Sequence, residues 1–548
     1  MVMFVDDSRA RAFMMKKSRR KSENKLADSV LKRRRLESRR RQLDEFLSRV
    51  HDDEAFLRML WAMDAIEDGD DRSQAGWSWF YRPPQELLEI LNVRGKFFHK
   101  WLIETLANEL IVVNKARNIP GRPSKIVDCH RLEAAVQAVN LLHKLEDAED
   151  GLTLRRVSVF TQMHRMAQRQ FPWQRGKVTR RAFYRSSFLY TFPEAQEQFQ
   201  ERYGISICDF SLVAFSLYAL FEEYSGVKLP FDVSKIGIDR AAGERALQLL
   251  TVSLPEAQAA VRKFKAISTH TSYTASVFRS SPIVRFPKVL VAPVPDLIIE
   301  RITEGLYYDI ITKADGATAR DISAKLGKVF EKYCYDILIG YLSEFDIIKE
   351  FQYNGRHSPD LMMLQKGKIA VAIECKAKKE PIVAKFGEEK EALHSPGIDD
   401  LAKGIFQIWR FLSHVRRGIA RCAHGVEKSV IGLLLTLDTW LEASDGQRAE
   451  VRRRAGELAD LEGNIIGEDR CPIALCHVRD LEALLACASD QDVLRTLAVA
   501  STPERQGWTL EGIYHELTDA AVISKPDPFA DRLNDVAPWI AYSSGVRR

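Results

Sequence analysis

Long apolar runs are missing from this 548-residue chain. No stretch of about 18 apolar residues occurs, which excludes a single membrane-spanning helix of the ordinary kind. The strongest apolar run, 430–437, has the length of a strand. The opening residues Met1-Val2-Met3-Phe4-Val5 turn acidic and then basic, without the apolar core of a secretory leader. Cysteine is scarce and scattered, with eight in all. Cys471 and Cys476 are the nearest pair, and no second pair answers them at zinc-site spacing. The expectation is buried thiols in a reducing compartment, hence a soluble cytoplasmic protein with no membrane partner. A hydrophobic fraction of 46% is enough to bury sizeable cores.

Acids are scarce in one window and missing from another. Residues 9–41 hold 15 Lys or Arg against three acids, Glu23, Asp28 and Glu37. The net charge is only +6, so the remainder is slightly acidic. A basic arm on such a body points to a polyanion. Lys32-Arg33-Arg34-Arg35 and Arg39-Arg40-Arg41 sit on a segment without Gly or Pro, and as a helix they would lie along a phosphate backbone. The alternative for this arm is a solvated or coiled-coil face.

The second window is 165–185. It carries Arg165, Arg169, Arg175, Lys177, Arg180, Arg181 and Arg185 with no acid, interleaved with Phe171, Trp173, Phe183 and Tyr184. Guanidinium groups for phosphates and rings for bases make Arg175, Lys177, Arg180 and Arg181 candidate nucleic-acid ligands. The aromatics equally suit a core.

At roughly 100–200 residues per domain the chain suggests about three domains. Residues 1–50 read as a basic helical arm. Residues 51–270 read as a mainly α-helical recognition or regulatory region, a route to a partner protein or homo-oligomer. Periodic stretches at 98–113, 131–145 and 210–223 are broken at Pro83-Pro84, Pro120-Gly121 and Pro230. Residues 271–315 form a connector, where Pro287, Pro293 and Pro295 disfavour a central strand. Residues 316–500 change character. The pattern predicts a helix at 322–342, strands at 347–353, 360–364 and 368–375, and a helix at 399–415. Strands at 430–437 and 473–478 and a helix from 481 complete it. That order implies a mixed central sheet flanked by helices, an α/β domain. The tail, 501–548, carries no clear pattern.

The chemistry concentrates in Ser358-Pro359-Asp360, thirteen residues, and then Glu374-Cys375-Lys376. Gly367 marks a tight turn between two strands, which brings Asp360 beside Glu374. Strand alternation sends Glu374 and Lys376 to one face and Cys375 to the other. Residues 369–373 are apolar throughout, so this strand is buried on both faces. A buried charge costs several kcal/mol unless it is paired or bound to metal. Two carboxylates side by side repel, and a divalent cation relieves that. Hard oxygen ligands suit Mg²⁺ or Mn²⁺. Lys378 and Lys379, further along, read as exposed charges at the strand end, and His357 as a loop histidine.

Pro359-Asp360…Glu374-x-Lys376 resembles the PD-(D/E)xK nuclease superfamily, the restriction-endonuclease-like fold. The resemblance covers roughly 320–480. It implies an acid on the helix before the hairpin, and Glu331 in Gly327-Lys328-Val329-Phe330-Glu331-Lys332-Tyr333 matches that place. Some members carry Gln-x3-Tyr on the helix after the core strands; Gln407 and Phe411 stand at that spacing, with the hydroxyl lost. By this resemblance Asp360, Glu374 and Glu331 hold metal, Lys376 and Gln407 join them as catalytic residues, and Lys403 touches phosphate. The implied function is a metal-dependent nuclease, with DNA favoured over RNA, suited to bacterial restriction or anti-phage defence. The rivals are a catalytically silent nucleic-acid-binding protein with a nuclease-like fold and the nuclease subunit of a mobile element.

Overall fold

The computed structural model describes residues 7–94, 97–116, 126–153, 159–174, 176, 178–268, 270–312, 316–380, 385–386, 396–438, 445–518 and 524–532. The chain forms two compact units. One contains 1–159, 254–276 and 291–294; the other contains 160–253, 277–290 and 295–548. The division differs from the linear one read from sequence. A large part of the expected helical region, 160–253, belongs with the C-terminal half of the chain.

The first unit is built on helices. Asp7–Ser48 runs 42 residues, followed by Asp53–Asp68, Lys100–Val112, Leu132–Thr153 and others. Asp52 starts the second, its side chain accepting from the Ala55 amide, a standard N-cap. Leu43, Phe46, Leu47, Phe56, Leu60, Trp61, Leu102 and Leu106 are buried in its core. Charged groups are buried with partners: Asp64 meets Arg72 at 2.8 Å, and Arg40 meets Glu109 at 2.6 Å.

The second unit carries three sheets among its described residues, a two-stranded pair (Gln352–Tyr353 with Arg356–His357) and two larger ones. The smaller of the latter has strands of two or three residues in the order Val227–Lys228, Val289–Val291, Ile283–Arg285, Thr251–Val252. The expected connector is therefore folded structure. Its prolines fall where they cost nothing: Pro287 lies in the turn closed by the Phe286 amide on the Val289 carbonyl, 2.9 Å.

The larger sheet belongs to an α/β body. Its elements, along the chain, are α1 (Gly316–Tyr341), β1 (Asp346–Lys349), β2 (Leu361–Gln365), β3 (Lys368–Lys376), α2 (Pro396–Arg416), β4 (Gly425–Thr436), α3 (Asp445–Glu462), β5 (Ile473–His477) and α4 (Val478–Cys487). The strand order is β5-β4-β3-β2-β1. β4 runs parallel to β3 and β5, while β2 runs antiparallel to β3 and β1. This is the mixed sheet expected from sequence, with a helix inserted between β4 and β5. The apolar pattern misses α3 because the apolar part of its buried stripe is only Val451, Ala455 and Ala459 among many charges.

Each element follows from its residues. Ile322, Leu326, Phe330, Tyr333 and Ile337 give α1 a buried stripe at helical spacing. Residues 369–375 of β3 are buried without interruption, as a strand covered on both faces must be. Lys366 and Gly367 both adopt positive φ, +51° and +76°, the two-residue turn whose twist suits a hairpin. Ala372 packs with Ile398, Leu401, Ile405 and Ile408 of α2. On the opposite face the Cys375 thiol meets Cys334 of α1. The supposed tail also takes part: Phe529 stacks on Tyr184 at 4.6 Å and on Tyr333 at 5.7 Å.

Candidate active site

Sheet register places the acids. Lys349 of β1 pairs with Leu361 of β2, which pairs with Ile373 of β3. One step further along, Glu350, Asp360 and Glu374 therefore stand in a row at one end of the sheet. The row is tied by backbone: the Glu350 amide donates to the Asp360 carbonyl at 2.9 Å. The Cys375 amide donates to Asp360 Oδ2 at 2.7 Å. Glu374 and Lys376 share a face, as alternation requires. Lys376 Nζ donates to Glu374 Oε1 at 2.7 Å and to Gln407 Oε1 of α2 at 3.3 Å.

Burial governs the electrostatics. Glu374 is 2% exposed. Loss of solvent pushes its carboxyl up to about 7, with Lys376 pulling down and Asp360 pushing up less strongly. Asp360 is raised for the same first reason, opposed by its bond from the Cys375 amide and by Lys376. For Lys376 burial opposes the charge, but the Glu374 carboxylate outweighs it and the ammonium is held above its ordinary range. Glu331 is raised by burial and then by the field of Asp360. The three expected acids thus feel one another.

Glu331 sits on α1 one step beyond the buried stripe. Its carboxylate takes Lys328 at 2.9 Å, and Lys328 also meets Glu350 at 2.8 Å. His357, at the surface, meets Glu350 at 3.2 Å. Glu350 and Lys328 were not singled out from sequence; extending the strand register one residue past Lys349 would have found Glu350. Gly404 was missed as well. A β-carbon there would lie 2.8 Å from Lys376 Cε and 3.3 Å from Glu374 Cγ. The signal was a glycine in mid-helix, where it costs about 1 kcal/mol relative to alanine and needs a packing reason. Lys403 is exposed. Phe411 is fully buried, edge-on to Phe351 and Tyr353, a core residue.

Two lysines after β3 part company. Lys378 is exposed and meets Asp400 at 2.6 Å. Lys379, expected at the surface, is buried. It pairs with Glu304 and sits 5.7 and 5.5 Å from the Tyr190 and Tyr307 rings. The loop turns it inward toward an acid that sequence separation of 75 residues concealed.

The basic window 165–185 is largely internal. Arg165, Arg169 and Arg185 are buried, as are Phe183 and Tyr184. Arg185 meets Glu482 of α4 at 2.6 Å, and Tyr333 donates to the other oxygen of Glu482 at 2.7 Å. Arg181 donates to the Glu482 carbonyl at 3.0 Å and meets Asp527 at 3.3 Å. Of the four candidate ligands here only Arg180 is described as exposed; Arg175 and Lys177 lie outside the described residues. Acids distant in sequence, such as Glu482 and Asp527, drew these cations inward.

Among the described residues no group of three or more His, Cys, Asp or Glu side chains is drawn together as a metal cage. Glu331 is turned to Lys328, and Glu374 to Lys376. The donor chemistry nonetheless fits a hard cation. Glu374 Oε2 is buried with no hydrogen-bond partner among the described residues. An uncompensated buried carboxylate oxygen beside a second carboxylate is what a divalent ion would satisfy.

The chain matches no protein-family model, no curated protein and no solved structure. No single helix among the described residues is long and apolar enough to cross a membrane.

Proposed function

We propose that this protein is a divalent-cation-dependent nuclease, with its cutting centre in the α/β body of restriction-endonuclease-like fold. The observation that carries this reading is Glu374. A carboxylate 2% exposed, with one oxygen unpartnered, stands at the end of a strand covered on both faces, beside Lys376 and opposite Asp360. Lys376 pairs one of its oxygens, but the other, buried without a partner among the described residues, costs several kcal/mol unless a second cation meets it. An acid-bearing helix before the hairpin and a glutamine-bearing helix after it support the same reading.

Asp360 and Glu374 would hold Mg²⁺ or Mn²⁺, with Glu331 as a further ligand once Lys328 yields it. The ion would neutralise the scissile phosphate and lower the pKa of a water for attack. Lys376, fixed between Glu374 and Gln407, donates toward the charge that develops on the phosphate. Gln407 orients that ammonium. The substrate is DNA rather than RNA, and the biological role is restriction or anti-phage defence. These last two points rest on the resemblance. All eight cysteines are free thiols, in keeping with work in the reducing cytoplasm.

The test is cleavage of supercoiled plasmid by purified protein with Mg²⁺ or Mn²⁺, with and without EDTA. Wild type nicks or linearises the plasmid and EDTA stops it. Asp360→Asn and Lys376→Ala each lower the rate by a factor of about 100 or more, the scale expected on losing one charge-stabilising group. If wild type and both variants behave alike, the enzyme reading fails and a silent, nucleic-acid-binding role replaces it.

A further inference from the structure

The helix Asp7–Ser48 ends in the first unit and is anchored there. Leu43, Phe46 and Leu47 are buried. Arg40 turns inward to Glu109 at 2.6 Å, to Glu149 at 3.5 Å and to Thr271. A helix advances about 100° per residue. With Arg40 and Leu43 fixing the inward side, Arg34 and Arg41, seven apart, form a ridge on the outward side. Arg33 and Arg35 flank Arg34 by one step each way: Arg35 stays on the outer half, while Arg33, seven residues before Arg40, lies on the line of that residue but is exposed where it stands. Arg33, Arg34, Arg35 and Arg41 are all exposed. Arg39 is occupied by Gln42 at 2.8 Å and Lys32 lies near Asp28 at 3.8 Å. Residues 32–41 contain one acid, Glu37.

We propose that Arg33, Arg34, Arg35 and Arg41 form a sequence-independent binding surface for double-stranded DNA, with this helix lying in the major groove. Laid along the groove, the helix brings the guanidinium groups of Arg33, Arg34, Arg35 and Arg41 to the phosphates of its two walls rather than to the base edges of its floor. A helix with its side chains is about 10–12 Å across, and the major groove of B-form DNA is about 12 Å wide. The same groove of duplex RNA is too narrow for it. Residues 28–45 contain no aromatic residue, so bases have no platform on which to stack, and single strands are not selected. An anionic lipid surface would need a continuous apolar face beside the basic one. Within residues 28–45 the outward side offers only Val30 and Leu31, at the far end of the patch. Within residues 28–45 no asparagine or glutamine except Gln42, already bonded to Arg39, is present to read adenine edges. The nuclease reading bears on this surface only in making DNA the natural polyanion.

The experiment uses the full chain carrying Asp360→Asn, in EDTA, so that binding is read without cleavage. Anisotropy of a fluorescent duplex of roughly 30 base pairs is followed against salt concentration. Each phosphate contact contributes about −0.9 to the slope of log affinity on log salt. The variant Arg33→Gln, Arg34→Gln, Arg35→Gln, Arg41→Gln is expected to flatten that slope by about three to four and to weaken binding at least ~30-fold near 0.1 M salt. Its thermal unfolding should match the parent, since all four side chains are exposed. Should it melt early, the pair Arg34→Gln, Arg41→Gln serves, with about half the change in slope. An unchanged slope overturns the proposal. So does equal or tighter binding of single-stranded DNA, duplex RNA or phosphatidylserine vesicles. Absence of plasmid cleavage by wild type in Mg²⁺ or Mn²⁺, with duplex binding intact, overturns the nuclease reading and leaves this surface standing.

Discussion

Gly404 and Lys376 are so close that a β-carbon on the glycine would stand 2.8 Å from the lysine's Cε. The helix backbone itself forms one wall of the acidic site. Leu434 Cδ1, at 2.7 Å from the same point, closes the other side. The lysine can swing away; the leucine, wholly buried, has nowhere to go.

Gly404→Ala therefore tests whether the wall matters. Alanine gains about 1 kcal/mol in helix propensity and loses about 1–3 kcal/mol to overpacking. The net effect on stability is small, while the displaced lysine lowers cleavage at least ~10-fold, the cost of about 1.4 kcal/mol at the transition state. Thermal unfolding beside plasmid nicking separates the two. Full activity in this variant sinks the assigned position of Lys376.

Glu374 makes the metal-free protein sensitive to pH. Its folded pKa, about 7, lies above the ordinary 4.5. The fold thus binds its proton more tightly than the unfolded chain does. This contributes stability that is fully present below about 4.5 and is lost as pH rises through about 7, roughly 3 kcal/mol in all. Urea unfolding in EDTA across that range should show wild type weakening relative to Glu374→Gln as pH rises. Parallel profiles for the two proteins would contradict the burial of an ionising Glu374.

Lys328 competes for the acids. Its ammonium bridges Glu331 and Glu350 at 2.9 and 2.8 Å. Because the lysine is mostly exposed, Lys328→Ala should change stability by less than about 1 kcal/mol. It should tighten Mn²⁺ binding severalfold, by removing a resident cation from Glu331. Isothermal titration measures this directly. Weaker Mn²⁺ binding in the variant would mean that the lysine organises the acids rather than masking them.

Arg180 and Arg185 look alike in sequence and differ in place. Arg185 is buried against Glu482 at 2.6 Å. Burial opposes its charge, yet Glu482 holds it above its usual range. Arg185→Ala leaves that carboxylate buried and unpaired, at a cost of about 3–5 kcal/mol. Arg180→Ala, on the surface, should cost less than about 0.5 kcal/mol. Equal destabilisation by the two would refute this placement.

Local chemistry in this chain was legible, and long-range pairing was not. The hairpin of β2 and β3, and the shared face of Glu374 and Lys376, followed from strand period and one glycine. The helices carrying Glu331 and Gln407 followed from apolar stripes. The fate of Arg185, Arg181 and Lys379 depended on Glu482, Asp527 and Glu304, and no periodicity joins residues so far apart. Gly404 was hidden because its role is an absence of side chain. The helix α3 was hidden because alanines and one valine make a stripe too slight to stand out. The division of the chain into units escaped for the same reason: the segment 160–253 is helical like what precedes it, and only its partners assign it elsewhere.

That division bears on how the protein can be taken apart. The chain passes between the two units five times, at 159, 253, 276, 290 and 294. A single proteolytic nick at any one crossing frees neither unit, since four covalent tethers remain. An excised fragment 1–159 would lack Lys265, which neutralises Glu109 at 2.7 Å. A fragment 316–548 would lack Arg185, the counter-charge of Glu482. Neither half is a portable module, and recombination that shuffles contiguous gene segments would have to move both together.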